Sequence, residues 1–199
     1  MLNSQETKDP IREEILNGAR ELLERYGFKK TTMEDIARQI GKSKSALYYY
    51  YKTKEEIFGA VILQDIDIMQ KLVTEAIKKE ESAATKFRVL ITSLLRDVKI
   101  KANKFSSLRA ELYENHLLID NVVKQRDSYI EELLKDILIL GISQQEVKML
   151  SNAEMSLWAK MVNLTFKSMA HKLFLEDDFT VSESQLGFMA DTLFYGVNA

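Results

Sequence analysis

Apolar residues recur with a helical period along most of the chain. Ile11, Ile15, Ala19, Leu22 and Tyr26 make a first stripe, three or four positions apart, as one face of an α-helix requires. Pro10 stands just before it, where a missing N–H costs nothing. Gly27 follows, able to take the positive φ that closes a helix. A second, shorter stripe is Met33, Ile36, Ala37 and Ile40. Thr31-Thr32-Met33-Glu34 opens it with the spacing of a capping box, Thr31 as cap and Glu34 reaching back, and Gly41 ends it. Ser43 is the expected N-cap of a third helix, which runs through Lys44-Ser45-Ala46-Leu47 into the tyrosines Tyr48 to Tyr51.

The same grammar continues downstream. Thr53-Lys54-Glu55-Glu56 predicts a cap for a long helix through Ile57, Val61, Ile68 and Leu72 to about Lys79. Further helices are expected over residues 83–102, 105–116 and 118–140, the last stopped by Gly141. Ser143-Gln144-Gln145-Glu146 predicts the cap of a helix reaching Phe174, apolar on nearly every side from Met155 to Met169. An acidic loop, Glu176 to Asp178, precedes a last helix capped by Ser182 to Gln185. Its stripe is Leu186, Met189, Ala190, Leu193, Phe194 and Val197. No segment alternates with period two, so the expected fold is all-α: an N-terminal three-helix domain and a larger C-terminal helical one.

Composition narrows the function classes. With 46% apolar and 29% charged residues the chain reads as a folded globular protein. The absence of cysteine excludes disulfides, thiolate metal sites and cysteine nucleophiles, and fits a cytoplasmic location. No apolar run approaches membrane-spanning length, so no membrane role is expected, and residues 1–8 read as a flexible tail. The net charge is −2, but its distribution is uneven. Residues 25–54 hold eight basic side chains and two acidic ones, whereas residues 61–199 hold 17 and 20. A basic block on a mildly acidic body is the footprint of a surface that meets phosphate.

That block contains two short helices, residues 32–40 and 44–50, joined by Gly41-Lys42-Ser43, which is the spacing of a helix-turn-helix. The second helix is slim enough for a DNA major groove, and its early side chains suit base edges. Lys44 can donate to guanine, Ser45 can donate or accept, and Ala46 can touch a thymine methyl. Tyr48, Tyr49 and Tyr50 are long and end in a hydroxyl suited to phosphates or base edges. Successive helical residues diverge by about 100°, so the tyrosines divide between core and groove. Leu47 and Tyr51 are expected to face the core with Ile36 and Ile40. Lys54, at a helix N-terminus, is assigned to a phosphate.

The stretch from Ile11 to Val61 resembles the N-terminal domain of the TetR family of transcriptional regulators. The resemblance is carried by Ala19-Arg20-Glu21-Leu22, Gly27-Phe28, Thr31 through Ala37 and Gly41 through Ile57. It implies DNA contacts at Thr32, Lys42, Ser43, Ser45, Ala46, Tyr48, Tyr49, Tyr50 and Lys54. It also implies a homodimer on palindromic double-stranded operator DNA, usually a repressor released by a small-molecule inducer. The domains would then be a helix-turn-helix domain at 9–55 and a ligand-binding and dimerisation domain at 56–199. Lys42, Ser45, Tyr50 and Tyr51 depart from the residues common in the family, which leaves the operator sequence open.

Pairing of the last two helices with their symmetry mates is expected to bury Leu186, Met189, Leu193 and Phe194. Tyr113, His116, Trp158 and Met161 are the candidates for lining an inducer pocket. Two other classes fit the sequence less well. A helical protein-binding adaptor leaves the basic block unexplained. A carboxylate–metal enzyme would rest on Glu111, Glu114 and His116, but Glu114 and His116 are two apart and diverge on a helix. No catalytic residue, metal or cofactor is expected.

Overall fold

The computed structural model describes residues 9–105, 111, 120–175 and 181–196. Its elements are α1 (Pro10–Lys30), α2 (Met33–Gln39), α3 (Lys44–Tyr50), α4 (Lys54–Lys78), α5 (Ala83–Lys104), α6 (Asp120–Ser143), α7 (Asn152–Leu175) and α8 (Glu183–Tyr195). The fold is all-α, and no strand occurs among the described residues. Two compact units divide the chain. One takes residues 1–65 and 105–120, the other residues 66–104 and 121–199.

In the first unit Asp9 caps α1 by accepting from the Ile11 N–H at 2.9 Å, with Pro10 at the first helical position. The α1 stripe buries Ile15, Leu16, Ala19 and Leu23. Gly27 has φ 82° and ψ 176°, which breaks the helix as its position suggested and leaves Phe28 to Lys30 as a separate turn. The cap of α2 sits one residue later than expected. Thr32 accepts from the Asp35 N–H, and the Asp35 carboxylate answers the Thr32 N–H at 3.1 Å. Thr31 is instead buried and donates its hydroxyl to the Gly27 carbonyl at 2.7 Å. The adjacent threonines offered two registers, and the kink at Gly27 claims the first.

The second unit is built on α5, whose Phe87, Leu90, Ile91, Leu94 and Leu95 are fully buried. It packs against both α7 and α8. The Phe87 ring lies 5.3 Å from Trp158 of α7 and 5.5 Å from Phe194 of α8. Arg88–Asp191 and Arg96–Glu183 ion pairs stitch α5 to α8 along the rim. On α6, Ile130, Leu134, Ile137 and Leu138 are buried, and Tyr129 bonds the Thr74 hydroxyl and the Gln70 carbonyl of α4.

Between α6 and α7 the expected boundaries move. α6 passes through buried Gly141 to Ser143, and α7 starts only at Asn152. Its cap is Ser151 with Glu154, whose carboxylate accepts from the Ser151 N–H at 2.7 Å. The segment expected to cap α7 caps α5 instead. Gln144 accepts from the Ala83 N–H at 3.1 Å, and Glu146 from the Ala84 N–H at 2.9 Å. A Ser-x-x-Glu spacing signals orphan N–H groups nearby in space, and here they belong to a distant helix.

Candidate nucleic-acid interface

The local sequence builds the helix-turn-helix from its turn outward. Gly41 takes φ +64°, which ends α2, and the Lys42 N–H closes back on the Ala37 carbonyl at 2.9 Å. Ser43 caps α3 as expected, accepting from the Ala46 N–H at 3.1 Å. Leu47 is wholly buried and Tyr51 nearly so, as are Met33, Ile36 and Ala37 of α2, and the Arg12 guanidinium of α1 lies 5.6 Å from the centre of the Tyr51 ring. These anchors orient the rest of α3 outward: Lys42, Ser43, Lys44, Ser45, Tyr48 and Tyr49 are exposed, Ala46 and Tyr50 half-buried. Tyr49 is the most open of the four tyrosines, at 79%. The four tyrosines thus divide, Tyr48 and Tyr49 outward from α3 and Tyr51, its extended C-cap with φ −138° and ψ 132°, inward. Burial raises the Tyr50 hydroxyl above its ordinary pKa.

The cations are less free than the sequence suggests. The Lys44 ammonium is bonded to the Glu34 carboxylate and sits 5.8 Å from the centre of the Tyr48 ring. That bond lowers the Glu34 pKa and raises that of Lys44. Lys42 lies 3.3 Å from Glu14 of α1. The Lys52 ammonium donates to the Tyr48 carbonyl at 3.0 Å, closing the end of α3. Thr32 spends its hydroxyl in the capping box but remains exposed.

Lys54 is placed differently from its expected role. Its ammonium donates to the Phe28 carbonyl at 2.9 Å and the Thr31 carbonyl at 3.2 Å, and lies 4.3 Å from the centre of the Phe28 ring. A lysine at a helix N-terminus is legible in sequence, but the broken turn that supplies its acceptors comes from residues 26 and 23 positions away.

An open groove of about 430 Å³ lies beside this face, between α1 and α2. Leu22, Tyr26, Lys30, Thr31, Asp35, Arg38 and Gln39 line it.

In the second unit the expected residues separate. Leu186 is 6% and Phe194 2% exposed, both inside the core of their own subunit rather than on a free face; Met189 and Leu193 are half-buried. On these two helices the exposed apolar side chains are Leu157, Met161 and Leu164 of α7 and Phe188 and Tyr195 of α8; Ile68, Leu72, Ile100, Ile139 and Met149 are exposed elsewhere in the unit. α7 is therefore two-faced, with Ala159, Val162 and Phe166 inward. Met161 lies on the outer face, 59% exposed, while Trp158 packs inward on Phe87. A stripe followed at three-and-four spacing marks the inner face of a helix, and on α7 the outer face is apolar as well. Sequence reasoning also missed Asn163. It is 3% exposed, donates to Glu131 at 3.2 Å, and its carbonyl oxygen has no hydrogen-bond partner among the described residues.

Tyr113, His116 and Glu114 lie outside the described residues. Glu111 accepts from the backbone N–H groups of Phe28 at 2.5 Å and Lys29 at 3.2 Å. Among the described residues no group of three or more acidic or histidine side chains converges to hold a metal.

Comparison with known proteins gives consistent matches. Residues 15–61 match the family model for bacterial regulatory proteins of the tetR family. The chain is 28% identical over 149 residues to the HTH-type transcriptional regulator YfiR of Bacillus subtilis, covering 72% of this chain and 71% of that one. It is 28% identical over 138 residues to the HTH-type regulator UidR of Escherichia coli K12, covering 68% of this chain but 63% of UidR. The fold matches that of the transcriptional regulator FadR of Bacillus subtilis, solved in complex with stearoyl-CoA, with a TM-score of 0.65 at 18% identity over 94% of this chain and 97% of that one.

Proposed function

Because the chain belongs to the TetR family of bacterial regulatory proteins, we propose that this transcriptional regulator is a cytoplasmic, ligand-released repressor that binds a palindromic operator as a homodimer and acts by binding rather than catalysis. The observation that carries the reading is the outward face of α3. Leu47 and Tyr51 fix the helix on the core, and Ser43, Lys44, Ser45, Tyr48 and Tyr49 stand exposed on its outer side. Ser45, Ala46 and Tyr49 read base edges in this account. Thr32, Lys42, Ser43, Tyr48 and Tyr50 position the backbone, and Lys44 contacts DNA after leaving Glu34. The ion pair is exposed on both sides, so exchanging a carboxylate for a phosphate costs little.

The dimer in this proposal uses the apolar outer faces of α7 and α8, centred on Leu157, Met161, Leu164, Phe188 and Tyr195. Met189 and Leu193 flank that face. Paired helices of this kind make an isologous four-helix interface, which would set two α3 helices about 34–36 Å apart for successive major grooves.

The inducer site is proposed in the second unit. Trp158 offers an aromatic surface and Asn163 a buried acceptor with no donor among the described residues, the combination of apolar wall and few polar points that small-molecule sites use. The stearoyl-CoA bound to FadR makes a long-chain acyl-CoA the first ligand to try. A mobility shift on a duplex from the region upstream of the protein's own gene tests the reading. Two protomers per duplex are expected, with binding that weakens steeply as salt rises. If stearoyl-CoA is the inducer, operator must weaken its binding by the same factor that it weakens operator binding. Equal ligand affinity with and without operator rules it out as inducer, and no shift at low salt overturns the DNA reading.

A further inference from the structure

The connection between α1 and α2 is a broken helix held on both sides by charged side chains. At Gly27 the helical backbone is interrupted, and Phe28 to Lys30 form a single turn beyond it. The Glu111 carboxylate takes the N–H groups at the start of that turn, Phe28 at 2.5 Å and Lys29 at 3.2 Å. The Lys54 ammonium takes carbonyls at its end, Phe28 at 2.9 Å and Thr31 at 3.2 Å. An anion at the N–H end and a cation at the C=O end are what the peptide dipoles of a short turn require. The Phe28 ring is held between the Lys54 ammonium and Phe58, whose ring centre is 5.0 Å away.

We propose that Glu111 and Lys54 are positioning residues for DNA binding, which fix the helix-turn-helix by clamping the backbone of residues 28–31. The argument rests on the DNA-binding reading above. Thr31 is the residue before the cap of α2, so any loosening of the turn displaces the Thr32 cap and with it α2 and α3. The clamp spans a large sequence distance, with one jaw from α4 and the other from the segment between α5 and α6. Lys54 in this account holds the interface in shape and does not touch a phosphate.

The test uses the full-length protein with Lys54→Met and Glu111→Gln. Each variant is measured by backbone amide exchange without DNA and by anisotropy on operator duplex across a salt series. Glu111→Gln should speed exchange at Phe28 and Lys29 by about tenfold and leave the α5 amides unchanged, since a charge-assisted bond becomes a neutral one. Both variants should bind operator about tenfold more weakly with the salt slope of the wild type, because no phosphate contact has been removed. A slope lowered by about one per half-site in Lys54→Met would make Lys54 a phosphate ligand and overturn its part. Unchanged exchange and affinity in Glu111→Gln would overturn the other. If Lys54→Met fails to fold, Lys54→Gln takes its place. Should the wild type bind no DNA, the functional reading fails, and the exchange experiment still decides the clamp.

Discussion

Replacing Leu164 and Phe188 with glutamate should convert the protein to monomers that stay folded. These side chains are 64% and 74% exposed in the single subunit, on the outer faces of α7 and α8. Covering a Leu or Phe of that exposure contributes about 1–2 kcal/mol, the corresponding share of the 1.5–3 kcal/mol for complete burial. Two-fold symmetry in the proposed dimer presents each twice, so the double variant removes about 4–8 kcal/mol from its association. That raises the dissociation constant by about three to six powers of ten. Burying the new carboxylates adds to the penalty, which makes this a lower estimate. Analytical ultracentrifugation at micromolar concentration reads the change directly, and circular dichroism confirms that the subunit remains helical. A wild type that is already monomeric, or a double variant that remains dimeric, would refute the reasoning.

Three further outcomes follow from the same contacts. Phe194→Ala should destabilise the subunit itself by about 3–5 kcal/mol in denaturant titration, because Phe194 is 2% exposed and packs on Phe87. Glu34→Gln should release Lys44 and tighten binding to operator and scrambled duplexes alike, reducing discrimination in a competition titration. Thr32→Ala should cost about 1 kcal/mol of stability at neutral pH. The Thr32 hydroxyl holds the Asp35 carboxyl below its ordinary value of 3.8, so this contribution is complete above that value and is lost as pH falls through the lower folded one. Melting temperatures of wild type and Thr32→Ala should therefore draw closer as pH falls below 3.8 without meeting, because the bond from the Asp35 N–H to the Thr32 hydroxyl does not titrate.

The sequence made the helix-turn-helix legible because every device there is local. Gly41, Ser43 and the spacing of Leu47 and Tyr51 act within a few residues of one another, and each sits as its neighbours require. What it hid was set by partners far along the chain. Lys54 reads as an open cation until the Phe28 and Thr31 carbonyls arrive. Ser143-x-x-Glu146 reads as a cap for the next helix until Ala83 and Ala84 claim its region. Phe194 and Phe188 are both apolar and six apart, and periodicity gives no sign of which faces inward until Phe87 takes one of them. Asn163 is invisible to any apolar pattern, since its burial follows from Glu131 on the opposing helix.

The central claim is that α3 reads DNA as one of a symmetric pair. It is tested most directly by selecting bound duplexes from a random pool with the full-length protein and sequencing them. The account predicts an enriched palindrome whose half-sites are centred about one helical turn apart, or a multiple of it. Tyr49→Ala and Ser45→Ala should change the preferred bases at mirrored positions of both halves. Enrichment of a single asymmetric half-site, or of no sequence at all, would contradict it.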